Sequence, residues 1–132
     1  MQLEAWQING VAVVVAGIAQ FVLGWVWYMP GVFGRRWLSA QGMTAMPQPG
    51  PKLVLYLVGA IVTACVIAIV LSWAGGASIG AGVAVGVLLA LPIVAMETTG
   101  VVMGRPASYV LIQDGYALAG FALMGAIIGA LG

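Results

Sequence analysis

Residues 53–73 read LVLYLVGAIVTACVIAIVLSW, a run without a single charge. A helix needs roughly 20 predominantly apolar residues to cross ~30 Å of hydrocarbon, and this stretch supplies them. Working outward, three more windows have the same character. Residues 9–28 carry no charge, 79–103 contain Glu97, and 108–131 contain Asp114. Transmembrane strands would need short stretches of period-two alternation. Runs such as VAVVVAGIA at 11–19 are instead apolar on every side.

The composition leaves one solvent for these faces. The 132 residues are 64% hydrophobic and 5% charged, with a mean hydropathy of +1.17. A soluble globular domain carries ~25% charged residues to cover its surface. The sequence therefore predicts an all-α integral membrane protein, a single domain over 1–132 with four transmembrane helices in an up-down bundle. A cleaved signal peptide would begin with a basic segment. Residues 1–7 carry only Glu4, so the first apolar run is expected to be retained.

Several chemistries find no support. There is one cysteine, Cys65, and no histidine, so neither an intrachain disulfide nor a common transition-metal site can be assembled. GAGVAVG at 80–86 lies within a span and lacks the strand that a dinucleotide fingerprint needs. No nucleophile–base pair is recognisable. The expectation is a protein that is not an enzyme, with no metal and no cofactor. The basic residues number four. They have a topological explanation, so no nucleic-acid partner is expected.

Those four fall in two connections that share one side of an up-down bundle: Arg35, Arg36 and Lys52 after the first span, Arg105 after the third. The positive-inside rule then places these loops in the cytoplasm and both termini on the outer side of a bacterial inner membrane. The long connection, 29–51, opens with Pro30-Gly31, which stops a helix. VFGRRWLSAQG at 32–42 sets Phe33, Trp37 and Leu38 at helical spacing, so a short interfacial helix is expected, with Arg35 and Arg36 meeting anionic lipid. TAMPQPGPK at 44–52 reads as an extended linker. Trp25, Trp27, Tyr28 and Trp37 read as an aromatic belt at this boundary, with Trp6 and Trp73 near the opposite one.

Glu97 and Asp114 are the residues that call for a reason. An acid at mid-helix is penalised by ~2.5–3.5 kcal/mol on insertion scales, which makes it a functional hypothesis by default. At ~100° per residue Glu97 aligns with Gly82, Gly86, Ala90, Ile93 and Gly104, and Asp114 with Leu118, Phe121, Gly125, Gly129 and Gly132. Small residues every fourth position let membrane helices approach closely, so both acids are expected to face protein. Each lies ~9 Å along its helix from the hairpin MGRPAS at 103–108. Two carboxyls meeting at that level would share a proton. Arg105 can instead reach back and pair with either. Thr98, Thr99, Gln113 and Tyr116 supply hydrogen-bonding groups nearby, and Pro92 frees the Leu88 carbonyl. Gln20 needs a partner in the first span, and Ala60, Ala64 and Ala68 form a seam in the second. Further glycines on other faces, Gly115 and Gly120, suggest a homo-oligomer.

Two functions fit this pattern. One is a small transporter or channel, with Glu97 and Asp114 accepting protons or cations and Gln20, Tyr28, Gln113 and Tyr116 lining the route. The other is a structural or accessory membrane protein whose polar groups, Arg105 included, clasp the bundle.

The first span and its exit, INGVAVVVAGIAQFVLGWVWYMPGVFGRRW at 8–37, resemble an uncharacterised family of small bacterial membrane proteins, a domain of unknown function. Its members show Ile-Asn, then Gly-x-x-Trp-Tyr-x-Pro, then Phe-Gly-x-x-Trp. Here these fall on Ile8, Asn9, Gly24, Trp27, Tyr28, Pro30, Phe33, Gly34 and Trp37. The last hairpin, with Asp114, Gly115 and Tyr116, is similar too. Gly10 departs from the pattern, where an aromatic more often follows the Asn. The resemblance implies a four-helix membrane fold and no particular activity.

Overall fold

Apolar sequence without a polar face makes helices that must be covered all round, by protein or by lipid. The computed structural model describes residues 8–45, 50–75 and 78–132. Four long helices cross the molecule: α1 (Gly10–Trp27), α3 (Leu53–Trp73), α4 (Ile79–Thr98) and α5 (Ala107–Leu131). A short α2 (Arg35–Ala40) lies between the first two. All four long helices are of a length and apolarity that span a bilayer. Their outward residues, such as Leu55, Leu88, Met96 and Leu111, are largely exposed, a surface suited to hydrocarbon rather than water.

The helix ends follow from local chemistry. Asn9 caps α1 by accepting from the Val11 and Ala12 amides at 3.1 and 3.3 Å. Its own amide donates to the Leu131 carbonyl at 2.9 Å, joining the start of α1 to the end of α5. Ser78 caps α4 through the Ala81 amide at 3.1 Å. After Trp27 the chain does not simply stop at Pro30-Gly31. Pro30 opens a π-helical turn, Pro30–Gly34, that runs straight into α2, because proline's fixed φ and missing donor suit a first helical position. Gly34 is buried there, and a Cβ on it would collide with the Tyr28 carbonyl. Of the proline-rich 44–52 segment, 46–49 lie outside the described residues, and Gly50–Lys52 forms a 3-10 turn. Trp6 and Glu4 also lie outside them. Past Thr98 the third span ends in a 3-10 turn, Thr99–Val101, rather than continuing as α-helix to Met103.

α5 is the hub, packing on α1, α3 and α4. Its tightest partner is α4. Gly82 and Gly125 face each other so closely that a Cβ on either would fall on the other's carbonyl. Gly86 meets the Phe121 carbonyl and Gly129 the Ser78 carbonyl in the same way. The glycine α-hydrogens therefore point at carbonyl oxygens, weak hydrogen bonds that recur where helices touch backbone to backbone. α1 packs on α3 and α5, while α3 and α4 meet only loosely.

Apolar and polar interiors are segregated along the bundle. Val13, Ala16, Ile67, Leu71, Met124 and Ile128 fill the half nearest Asn9 and Leu131. The opposite half, beneath α2 and the basic loops, holds the buried polar groups.

Candidate functional site

Three elements converge at that second end, and the sequence of each explains why. Trp27 and Tyr28 finish α1, the π-turn brings Phe33 and Trp37 back over them, and Tyr109, Gln113 and Tyr116 rise along one face of α5 at i, i+4 and i+7. The rings pack on one another. Trp27 lies 4.7 Å from Phe33, Tyr28 lies 5.2 Å from Trp37 and 5.4 Å from Tyr116, and Trp37 stacks on Tyr109 at 6.1 Å between centroids. Of the expected belt, only Trp25 turns fully outward, at 69% exposure. Trp27, Tyr28 and Trp37 are half-buried and join α1 and α2 to α5.

Polar bonds reinforce the joint. The Trp27 indole N–H donates to the Ile112 carbonyl at 3.1 Å, and the Tyr28 hydroxyl donates to Gln113 Oε1. The Tyr116 hydroxyl donates to the Gln20 main-chain carbonyl at 3.1 Å. Gly24 makes room for it, since a Cβ there would stand 2.6 Å from the Tyr116 oxygen. The Gln20 side chain lies directly on Gly120, whose α-hydrogen points at its amide. Gln20 Oε1 is buried and receives no N–H or O–H among the described residues. Gly115 is likewise covered, by the Trp27 ring. Both glycines that suggested a second copy are thus occupied within the chain, against α1.

The acids are arranged differently from the expected facing pair. Asp114 is 8% exposed, and its Oδ2 accepts from the Thr98 hydroxyl at 2.8 Å. Glu97 is half-buried, and its side chain makes no hydrogen bond among the described residues. The reason is the packing row. α4 touches α5 through Gly82, Gly86 and Ala90, every fourth residue, and that row continues through Val94 to Thr98. A 3.6-residue average, carried from Gly82, ends near Glu97 instead. Thr98 also lies 2.7 Å from the Val94 carbonyl. One hydroxyl proton serves one acceptor at a time, so two acceptors compete for it. Asp114 Oδ1 is buried with no donor at all among the described residues.

Arg105 does not supply the missing donor. Its guanidinium sits 6.0 Å from the centre of the Tyr109 ring, its stem packs over Gly100, and no salt bridge joins it to either acid among the described residues. Thr98, Trp27, Trp37 and Tyr109 carry more of the geometry than the sequence assigned to them. The signal for three of them was present in the spacing of Trp-Tyr-x-Pro, Phe-Gly-x-x-Trp and the Tyr109–Tyr116 face.

Four spanning helices with a buried, uncompensated carboxyl define the class: a small polytopic membrane protein with a polar site inside its bundle. The chain belongs to the family described as "Protein of unknown function (DUF1761)", which it matches over residues 11–129. No curated protein and no solved structure matches it.

Proposed function

We propose that the protein is a small transporter- or channel-like membrane protein in which Asp114, with Thr98 and the neighbouring Glu97, takes up a proton or a monovalent cation. The observation that carries this is Asp114 Oδ1, buried in a membrane-spanning helix without a donor or a counter-charge among the described residues. Such an oxygen is costly unless something positive completes it. A proton placed on Asp114 would let Oδ2 donate to Thr98 while Thr98 donates to Val94, satisfying both contacts at once. Arg35 and Arg36 are exposed on α2 and would meet anionic lipid on the cytoplasmic side, with Asn9 and Leu131 at the outer side.

A structural reading has its own support. The Thr98–Asp114, Tyr28–Gln113, Tyr116–Gln20 and Trp27–Ile112 bonds all run between helices, as a bundle lock would require. Dissipation of an imposed pH gradient, or of a sodium or potassium gradient, by proteoliposomes separates the two. Transport predicts flux that Asp114→Asn abolishes while the variant stays folded. If neither gradient decays faster than in empty liposomes, and Asp114→Asn only lowers the melting temperature, the lock is the better account.

A further inference from the structure

The loose α3–α4 seam leaves a groove of about 220 Å³ that opens sideways to the bilayer, lined by Val62, Val66 and Ile67 of α3, Leu89 and Ile93 of α4, and Phe121 of α5. Its walls lead toward the acidic end. On α4, Leu89, Ile93 and Glu97 follow one another at four-residue steps along the same side. On α3, Thr63 lines the groove, and Tyr56, two turns earlier, shares its face. Gly59 lies between them, exposed, and a Cβ there would meet nothing within 4 Å. Tyr56 stands in the first turn of α3, just after Lys52, and Glu97 in the last turn of α4, so both belong to the end of the bundle that carries the basic loops.

Glu97 is the one charged side chain of α3 and α4, and no cationic group neutralises it among the described residues. We infer that this groove takes an amphiphilic organic cation from the bilayer, its apolar body between α3 and α4 and its positive head against Glu97. The inference rests on the cation-accepting reading of the acidic end and names its substrate class. Charge complementarity selects the occupant. A neutral acyl chain gains nothing from a carboxylate one turn beyond Ile93, and a bare inorganic cation gains nothing from an apolar wall. No group of three acids able to hold a metal ion exists among the described residues. Tyr56, largely exposed near the start of α3, adds an aromatic ring of the kind that favours organic cations.

Binding of tritiated tetraphenylphosphonium to the purified full chain, read by scintillation proximity, tests this. Saturable binding is expected, displaced by decyltrimethylammonium and not by decanol. Glu97→Gln should weaken it by roughly tenfold or more. Val66→Trp and Ile93→Trp should abolish it by filling the groove. Both positions are 44% exposed, so these variants keep the fold, which an unchanged melting temperature verifies. Absence of saturable binding, equal displacement by decanol, or binding that survives both Glu97→Gln and the tryptophan variants would overturn the inference. Asp114-dependent proton or metal-cation flux without tetraphenylphosphonium binding sinks the groove and leaves the acid site standing. Specific binding without any flux retains the groove as a binding site and sinks transport.

Discussion

Thr98 is where a single atom decides most. Its hydroxyl is the only donor that reaches Asp114 among the described residues, and Thr98→Val keeps the shape while removing it. Both Asp114 oxygens would then be buried without a donor, an arrangement that costs about 1–3 kcal/mol. Thr98→Val should therefore lower stability in detergent by about that amount, and Thr98→Ser should restore it, as measured by reversible unfolding. Gly24 gives a second test at this scale. Gly24→Ala puts a methyl group against the Tyr116 hydroxyl and should break its bond to the Gln20 carbonyl. Tyr116→Phe loses the same bond without the clash. An interhelical hydrogen bond in a membrane is worth about 0.6–1.7 kcal/mol, so Tyr116→Phe should fall in that range and Gly24→Ala should exceed it.

Among the elements, the α4–α5 pair is the least tolerant of bulk. Gly82→Leu or Gly125→Leu must part backbones that now touch, and the expected result is loss of a monodisperse peak in size-exclusion chromatography. Gly59→Leu and Gly80→Leu are the controls, because a side chain at either meets open space. They should leave the profile unchanged. The four spans and the small-residue rows were legible in the sequence, since span length and four-residue glycine spacing have few structural solutions. Asp114 facing protein was legible for the same reason. That Thr98, and not Glu97, meets it was not, because a row of contacts along i+4 departs from the helical average by ~40° each step. Pro30 reads as a stop for α1, although the same fixed φ also suits the first position of the helical turn it opens. The inward turn of Trp27 and Trp37 depends on α5, which lies far away in sequence.

At the scale of the whole molecule, the two basic loops share one end and the Asn9–Leu131 bond marks the other. In a Cys65→Ala background, cysteines placed at Gly42 and Val102 should react with an impermeant maleimide from the same side of sealed vesicles. One at Gly132 should react only from the opposite side. Labelling of Gly42 and Val102 from different sides would contradict the four-span fold. The positive-inside rule predicts that the first pair will react from the cytoplasmic side, which labelling in vesicles of known orientation checks.

The hub position of α5 bears on how the molecule is made. Synthesis runs from the amino end, so α1, α3 and α4 emerge before the helix on which all three pack. Until α5 arrives, the Asn9 amide has no Leu131 carbonyl, the Gly82 row has no facing backbone, and Thr98 has no carboxylate. Of the earlier helices, α1 and α3 carry no charge and α4 carries Glu97, which is half-buried in the finished bundle. Asp114 arrives with α5 itself, the helix that brings the Thr98 hydroxyl and the α4 glycine row into contact with it. A ribosome that stalls before residue 107 would release three helices with the α4 glycine row and Glu97 open to lipid, an incomplete product that lacks its central packing partner.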